Sequence, residues 1–439
     1  MLESDLCASR RSYLGVESGS VTVIDGRVGH LPSGTVPEPG DTLVGSVLTP
    51  CAPAQGRDQA GQSSQSHKVA LCARYSLSHP SSARLRRRYL LSKSGFPLRA
   101  PGENVRTSSV IVSADAAGLD QASRVLRAGG VCAFPTETVY GLGADAFSTP
   151  AIAEIYRLKN RPDWNPLIVH ALDADMARSL ARVWPGVAVE LAHRFWPGPL
   201  TLVVDRAAHV PDAVSAGTGT VALRVPAHPV ALDLLAACGL PLAAPSANRS
   251  ESVSPTCAQH VLRSLPDVPL IVDGGPCRWG IESTVLDITC TPPRLLRPGA
   301  LPLRKLRDAI GAIDFSAASF GDGDGTARSP GQGRRHYAPR AKVVIVDDVE
   351  VAGQSGLGKP CGILTHVDLD VARTAWAEHV EVLPDDPAGY GADLYAALHR
   401  LDDRGISTIA VLAPPEDEDW MAVRDRLHRA SAGPMPAVR

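Results

Sequence analysis

Between residues 107 and about 312, short apolar segments alternate with segments whose apolar residues recur at helical spacing. At the start of this region, DAAGLDQASRVLRAGG has helical spacing and ends in glycine, and VCAFP follows it as an apolar strand. Such alternation predicts an α/β domain, because each helix can cover one face of a shared sheet. The strands KVVIVDD, CGILTH and TIAVLAPP, with two further helices, predict a second and smaller α/β unit.

The individual elements of the first domain follow from the same patterns. The segment STPAIAEIYRLK opens with a Ser/Thr cap and has Pro150 near the first helical position, so it predicts a helix. Further helices are predicted at GVAVELAHRFW, HPVALDLLAACG, TCAQHVLRSL and LRKLRDAIG. Further strands are predicted at PLIVHA, LTLVVD, TVALRVP, LPLAAP, LIVDGG, STVLDIT and RLLRPG.

The composition indicates a globular protein and does not indicate a particular binding partner. The 439 residues are 44% hydrophobic and 21% charged, which is typical of a globular chain with two or three domains. The formal net charge of -2 provides no overall field that would attract nucleic acid. None of the nine cysteines forms a C-x-x-C pair, so we expect no zinc site and a reducing compartment such as the cytoplasm. No apolar run is long enough to predict a membrane span.

The first 106 residues differ in composition from the rest. Residues 51–68 are poor in apolar residues and favour disorder, whereas residues 68–106 carry nine Lys or Arg against one acid, Glu103. The basic, serine-rich composition resembles a transit peptide and is compatible with mitochondrial or plastid targeting. An equally open interpretation is a non-native extension from a mispredicted start, and RNA binding by the basic run is the third.

Polar groups accumulate where predicted strands end, which is where open α/β sheets bind ligands. After VCAFP, Thr136 and Thr138 offer hydroxyls, and the glycines of YGLG allow close backbone approach to a substrate. The alternative is an ordinary polar turn.

Several cations also lie at element ends. Lys159 and Arg161 end a predicted helix, where they can stabilise the helix dipole, or, with His170, bind a polyphosphate or a carboxylate. Arg224 lies in an apolar strand, so it needs an anionic partner or an edge position.

The loop APSANRSESVSPT and the segments around it are rich in polar groups. The loop contains Ser246, Asn248 and Ser254 ahead of a helix whose N-terminus can receive an anion. The alternative is a capped loop in which Pro255 is the first helical residue. Further along, Ser283 and Thr284 begin a strand and Arg297 ends one. Together these groups predict a concave site with several hydroxyls and cations and with no nucleophile, base dyad or metal cage.

In their order along the chain, these motifs resemble the Sua5/YrdC/YciO family of threonylcarbamoyl-AMP synthases. The resemblance is carried by FPTETVYGLGADA, KNRPDWNPLIVH, FWPGPLTLVV, VALRVPAHP, APSANRS, VSPT, GGPCRWGIESTVLD and LLRPGAL. The linker SPGQGRRHYAP and the unit that follows it resemble the longer Sua5 form. The resemblance implies a YrdC-like twisted open mixed sheet with flanking helices, plus a smaller Rossmann-like Sua5 C-terminal domain.

The implied domain organisation has four parts. Residues 1–106 are the extension, 107–312 the catalytic domain, 313–341 a linker that closes over the active site, and 342–439 the C-terminal domain.

The resemblance also implies a reaction of L-threonine, bicarbonate and ATP, the last with Mg²⁺, that gives threonylcarbamoyl-AMP and pyrophosphate. The product then passes to a tRNA threonylcarbamoyl transferase complex that modifies the adenosine at tRNA position 37. A non-catalytic RNA-binding or ribosome-maturation role, with weak binding of tRNA or double-stranded RNA, is the alternative for the same fold.

Family roles carried over by position assign the binding groups. The implied threonine-binding residues are Thr138, His170, Arg224 and Thr284. The implied nucleotide-binding residues are Lys159, Arg161, Asn165, Ser246, Asn248, Ser254, Arg297, His336 and Tyr337. Of these two sets, Lys159, Arg161 and Arg224 are implied to act in catalysis, and no residue is assigned to a metal.

One departure from the family pattern lies beside the implied nucleotide site. The usual SAN-x-SG reads SANRSE here, so that Glu251 stands where glycine is common. Its carboxylate either alters nucleotide affinity or points outward.

Overall fold

The structure is a computed structural model. It describes residues 23–24, 27–28, 109–315 and 335–431. The basic segment 68–106 and linker residues 316–334 lie outside the described residues, so the predictions made for them stay predictions. Strands β1 (Val23–Ile24) and β2 (Arg27–Val28) pair antiparallel in a unit separate from the one considered below.

Within the described residues, ten strands form one mixed sheet, which confirms the predicted α/β class. The strands are β3 Val110–Ser113, β4 Cys132–Phe134, β5 Gly141–Asp145, β6 Ile168–His170, β7 Leu200–Asp205, β8 Thr220–Arg224, β9 Leu242–Ala243, β10 Leu270–Asp273, β11 Thr284–Asp287 and β12 Arg294–Arg297. Their order in the sheet is β12-β11-β7-β8-β6-β9-β5-β4-β10-β3.

Helices cover this sheet and bury a core rich in Leu, Ile, Val and Ala against it. They are α1 Ala116–Arg127, α2 Thr149–Lys159, α3 Ala174–Ser179, α4 Gly186–Phe195, α5 Asp212–Ser215, α6 Pro229–Cys238, α7 Ala258–Ser264 and α8 Leu303–Ile310. The predicted start of α2 is confirmed, because the Ser148 side chain accepts a hydrogen bond from the backbone N-H of Ala151. The alternative that Pro255 begins a helix is wrong, since α7 begins at Ala258 after Cys257.

Strand β5 was not predicted, because its glycines suggested a turn. The turn is confined to residues just before it, and Gly141–Asp145 pairs antiparallel with β4. A Cβ at Gly143 would lie only 2.6 Å from the ring of Phe134. Glycine therefore permits close contact between β4 and β5, and its structural role is inside the strand.

The C-terminal domain contains a four-stranded parallel sheet in the order β13-β16-β14-β15. Its strands are β13 Lys342–Val346, β14 Cys361–Thr365, β15 His379–Val382 and β16 Thr408–Leu412. Its helices are α9 Val349–Gln354, α10 Val371–Thr374, α11 Pro387–Asp403 and α12 Met421–Ala430, with a 3₁₀ turn at Glu418–Trp420. This parallel sheet with helices confirms the predicted smaller α/β domain.

The two domains pack tightly against each other. Val139, Val253 and Ile281 of the first domain lie in the same buried cluster as Tyr390 and Leu394 of α11. None of the helices in the described part of the chain combines the length and the apolar character that a bilayer crossing requires.

Candidate functional site

A polar cleft lies where strands of the ten-stranded sheet end. The segment that begins at residue 335 lies against the same cleft through His336 and Tyr337. The walls of the cleft come from the residues after β4, the ends of β6, β8 and β12, and the loop after β9. The lining residues are Thr136, Thr138, Val139, Gly141, Arg161, Ile168, His170, Arg224, Ala244, Pro245, Ser246, Glu282, Ser283, Arg297, His336 and Tyr337. The cleft thus brings together side chains that are up to about 200 residues apart in sequence.

Arg224 lies in the interior of the sheet, so the edge-strand alternative is wrong. It ends β8 between β7 and β6, and its Nη1 donates to the Thr138 hydroxyl at 3.0 Å. Its Nη2 lies 2.6 Å from Oε1 of Glu137, and both side chains are buried. Glu137 does not line the cleft, so its carboxylate balances and orients Arg224 from behind. The sequence interpretation missed Glu137, although the TET motif contains it.

His170 ends strand β6 and pairs in register with Arg224 of the neighbouring strand β8. Burial, reinforced by the Arg224 charge, lowers the pKa of His170 to about 3. The imidazole is therefore neutral at pH 7. Its Nδ1 is buried and has no hydrogen-bond partner among the described residues, so it is available to a ligand.

Lys159 lies in the last turn of α2, but its ammonium group donates to a different segment of the chain. Its Nζ donates to the backbone carbonyls of Ser246 (2.6 Å) and Asn248 (2.5 Å), and so ties α2 to the loop after β9. Burial and the nearby Arg161 charge hold the pKa of Lys159 well below its usual range. An anion beside Lys159 would restore the preference for the charged form.

Arg161 is held by the loop that follows α2. Its Nη2 donates to Oδ1 of Asn165 at 2.6 Å and to the carbonyl of Pro166 at 2.7 Å. Burial lowers the pKa of Arg161 to about 10, which leaves the side chain cationic at pH 7. Asn165 does not line the cleft, and it orients Arg161.

The loop after β9 is stiffened by its own polar side chains. The Ser246 hydroxyl donates to Oδ1 of Asn248 at 2.6 Å, and Nδ2 of Asn248 donates to the Ser252 carbonyl at 2.6 Å. Glu251 adopts a left-handed conformation with φ of 69°, in which glycine is unstrained. Its side chain is exposed, which favours the outward alternative for this carboxylate.

Glu282 lies at the opposite wall and was also missed from the sequence. Its Oε1 accepts from the Ser254 hydroxyl at 2.6 Å, and its Oε2 accepts from the Tyr395 hydroxyl and from Nε of Arg426, both at 2.9 Å. Burial raises the pKa of Glu282, but the charges of Arg426 and Arg297 outweigh it and hold the pKa below its usual range. Tyr395 and Arg426 belong to the C-terminal domain, so nothing near the ESTVLD motif could indicate them.

Ser283, and not Thr284, faces the cleft. The Thr284 hydroxyl donates to the Leu301 carbonyl at 2.7 Å and lines a neighbouring cavity of about 300 Å³ between the domains. Most of that cavity's lining residues are apolar, and Arg161, Arg224 and Arg297 are not among them. On the cleft side, Arg297 donates to the carbonyl of Ser283 at 2.9 Å through Nη2.

His336 and Tyr337 bring the end of the linker to the cleft. Tyr337 is only 1% exposed and its ring lies 5.7 Å from that of Tyr395 in a stacked arrangement. Burial and the charges of Arg161 and Lys159 hold the pKa of His336 well below its usual range. Both residues therefore line the cleft as uncharged side chains beside the cations Arg161 and Arg297.

The charges around the cleft favour an anionic ligand. Arg161, Arg224 and Arg297 line it, and Lys159 lies one hydrogen bond away from it. Two carboxylates, Glu137 and Glu282, balance only part of this charge, and both are paired with arginine. In the described ranges, no group of three or more His, Cys, Asp or Glu could hold a metal ion. The cleft is thus suited to carboxylate and phosphate groups.

Comparisons with known proteins cover both domains. A family model for Sua5, YciO and YrdC, described as telomere recombination, matches residues 124–299. A second model, described as the C-terminal domain of threonylcarbamoyl-AMP synthase, matches residues 302–432.

Individual relatives agree with these models. The chain is 40% identical over 321 residues to the threonylcarbamoyl-AMP synthase of Pyrococcus abyssi, which covers 71% of this chain and 93% of that protein. It is 40% identical over 327 residues to the threonylcarbamoyl-AMP synthase of Bacillus subtilis, and this match covers 71% of this chain and 92% of that protein. The crystal structure of P. abyssi Sua5 complexed with L-threonine aligns with a TM-score of 0.69 and 39% identity, over 73% of this chain and 97% of that one.

Proposed function

The chain belongs to the Sua5/YrdC/YciO family of threonylcarbamoyl-AMP synthases, and we propose that its polar cleft joins L-threonine, bicarbonate and ATP to give threonylcarbamoyl-AMP and pyrophosphate. The observation that carries the proposal is the buried group of the cations Arg161, Arg224 and Arg297, which line one cleft. The serine hydroxyls of that cleft, Ser246 and Ser283, are bonded to Asn248 and Thr201 rather than to a general base. Such a site suits a reaction in which the substrates themselves supply the nucleophile.

Threonine binds at the end of the cleft formed by Arg224, Thr138 and His170. The Arg224 guanidinium is held by Glu137 and Thr138, so its remaining N-H groups meet the substrate carboxylate in a fixed orientation. The neutral His170 offers a ring nitrogen to the amine or the hydroxyl of threonine. The complex of P. abyssi Sua5 with L-threonine supports this substrate.

ATP binds at the other end, near Lys159, Arg161 and Arg297. These cations neutralise the triphosphate and the charge that develops at the α-phosphate, and their burial strengthens the effect. The loop containing Ser246, Asn248 and Ser254 lies beside them and orients the ribose and adenine.

The reaction needs positioning more than side-chain chemistry. The threonine amine attacks the carbon of bicarbonate, water leaves, and a carbamate forms. A carbamate oxygen then attacks the α-phosphorus, the bond to the β-phosphate breaks, and pyrophosphate departs. Holding the carbamate and the α-phosphate together in a cationic and buried site lowers the barrier through proximity and charge stabilisation.

Mg²⁺ enters as part of the ATP substrate. The carboxylates nearest the cleft, Glu137 and Glu282, are each bound to an arginine and are poor candidates for metal ligands. The metal is therefore held by phosphate oxygens and water, as is common for magnesium nucleotides.

His336 and Tyr337 limit the access of water to the mixed anhydride. The end of the linker lies against the cleft and the C-terminal domain, where it shields the product from hydrolysis.

The product then passes to a tRNA threonylcarbamoyl transferase complex. The six cysteines in the described ranges are all free, which supports action in a reducing compartment.

The first test is detection of the product. Purified protein is mixed with ATP, Mg²⁺, bicarbonate and L-threonine, and threonylcarbamoyl-AMP and pyrophosphate are measured by mass spectrometry and a coupled assay. We expect a product that requires threonine and bicarbonate and forms less well from L-serine, which lacks the methyl group. Folded protein that gives no product would instead favour the non-catalytic RNA-binding role.

A further inference from the structure

The C-terminal domain reaches the proposed nucleotide end of the cleft through buried side chains of α11 and α12, among them Arg426 of α12. The Arg426 side chain is fully buried, and its Nε donates to Glu282 at 2.9 Å. We propose that Arg426 is a positioning residue for ATP, which acts through Glu282 and Tyr337 and makes nucleotide binding depend on docking of the C-terminal domain. The inference rests on the function proposed above, and it adds a residue that does not itself line the cleft.

The first connection runs through Glu282 to Ser254. One carboxylate oxygen of Glu282 accepts from Arg426 and from the Tyr395 hydroxyl, both of which belong to the C-terminal domain. The other oxygen accepts from the Ser254 hydroxyl at 2.6 Å. Two groups of one domain thus fix the carboxylate, and the carboxylate fixes a hydroxyl of the other domain. Without Arg426, Glu282 would be a buried charge with only hydroxyl partners, and its orientation would change.

The second connection runs through Tyr337. The Arg426 guanidinium carbon lies 4.9 Å from the centre of the Tyr337 ring, and the Tyr395 ring stacks on the same tyrosine. Tyr337 lines the cleft, and its buried hydroxyl has no hydrogen-bond partner among the described residues. Arg426 therefore contributes a cation-π contact that holds the ring while the hydroxyl stays available to a ligand.

The third connection fixes the chain after β12. Nη1 of Arg426 donates to the carbonyl of Pro298 at 2.9 Å, and Pro298 directly follows Arg297. Arg297 lines the cleft and donates to Ser283. One guanidinium thus restrains three parts of the proposed nucleotide end. Among the described residues, Arg426 makes no such contact with Arg224 or His170.

Stability alone would not require this arginine. A buried ion pair often contributes little to stability, because desolvation of both charges offsets their attraction, whereas removal of one partner leaves a costly unpaired charge. The informative variant is therefore the double substitution E282Q/R426Q, which removes both of these charges together. Asp425 also pairs with Arg426, and in this variant it keeps its ion pair with Arg429. R426K keeps the charge but loses the fork that reaches Pro298. R424Q on the same helix is the control, since the Arg424 side chain is bound to the exposed Pro415 carbonyl and to no other residue that the structure describes.

The experiment measures the melting temperature, the KM for ATP, the KM for threonine and the Kd for ATP by titration calorimetry. For E282Q/R426Q we expect a melting temperature near that of the wild type, and KM and Kd for ATP raised by roughly 10-fold, while KM for threonine changes less than about 2-fold. R426K should raise the ATP values by about 3-fold, and R424Q should leave all four quantities unchanged.

Two results would overturn the inference while leaving the proposed function intact. One is wild-type ATP affinity in a folded E282Q/R426Q protein, which would reduce the pair to a domain contact. The other is an equal rise in both KM values, which would indicate general loosening of the cleft. If the wild-type protein itself neither binds ATP nor forms the product, the proposed function fails, and this inference fails with it.

Discussion

The two ends of the cleft are built around similar buried pairs, Glu137 with Arg224 and Glu282 with Arg426. At the threonine end, both partners lie in the first domain, and the N-O distance is 2.6 Å. At the nucleotide end, the partners lie 144 residues apart, in different domains, at 2.9 Å. The pair at the proposed threonine end therefore lies within one domain, whereas the pair at the proposed nucleotide end joins the two domains.

The difference separates two uses of the same interaction. Glu137 supports an arginine that itself lines the cleft, so the pair sets the direction of a binding group. In the second pair the carboxylate of Glu282 lines the cleft, and the arginine, Arg426, supports it from behind. We expect both pairs to orient a binding group and to add little net stability, because desolvation offsets much of the attraction.

The largest effect is expected at the threonine end. Arg224→Gln should lower kcat/KM for threonine by about 1,000-fold, because the substrate carboxylate loses a charged and oriented partner. The Kd for ATP should change by less than about 2-fold, since Arg224 belongs to the other end of the cleft. Steady-state kinetics with each substrate varied, together with ATP titration, measure both values.

Two companion variants separate binding from folding in this experiment. Glu137→Gln/Arg224→Gln leaves no unpaired buried charge, so its fold should survive while the loss of threonine turnover persists. Arg182→Gln removes an exposed pair with Asp205 in the same domain and should cost almost nothing. Normal threonine kinetics in the double variant would remove Arg224 from the binding site.

The next effect concerns the link between α2 and the loop after β9. Lys159→Gln should lower kcat/KM for ATP by about 100-fold, because the loop loses its ammonium anchor and the phosphates lose a cation. Arg157→Gln on the same helix removes only an exposed pair with Glu154 and serves as the control. Retention of wild-type ATP kinetics in Lys159→Gln would assign Lys159 a structural role alone.

A smaller effect is expected from acid pH, which should lower the free energy of unfolding through a histidine pair between the two domains. His260 of α7 stacks on His399 of α11 at 3.8 Å, and burial with the neighbouring histidine lowers the pKa of His260 to about 3. The unfolded pKa is near 6.5, so between these values the unfolded chain binds the extra proton. This histidine's contribution to stability is therefore complete above about pH 6.5 and is lost as the pH falls toward 3.

Denaturant unfolding measured from pH 7 to pH 4 checks this dependence. The free energy of unfolding should fall by about 1 kcal/mol per pH unit for this histidine, in addition to the contributions of other groups. His260→Gln should remove that share of the slope. An unchanged slope in the variant would mean that the histidine pair does not titrate with unfolding. Arg263, Arg400 and Asp403 also act on this pair and stay in place in the variant.

The same contrast explains what could be predicted from the sequence. The strands and helices predicted for both domains are present because their apolar spacing is local, and so is the cap at Ser148. Several motif residues meet in one cleft, because Arg224 and Arg297 end strands of the same sheet and Arg161 follows helix α2. Glu137 and Glu282 were missed, because their partners are set by tertiary packing and no local pattern records it. Thr284 and Ser283 are adjacent in sequence, and only the geometry of β11 decides which of them faces the cleft.

The smallest effect is expected from removal of residues 1–106. The contacts described for both ends of the cleft lie within residues 109–315 and 335–431, and the family matches begin at residue 124. We therefore expect a protein that starts at residue 107 to keep kcat and both KM values within about 2-fold of the full chain. Side-by-side product assays and melting curves of the two proteins provide the measurement. If the shortened protein folds but loses only its ATP affinity, the extension contributes to the nucleotide end. That end would then depend on three parts of the chain, the first domain, the C-terminal domain and residues 1–106, whereas the threonine end would not depend on the extension.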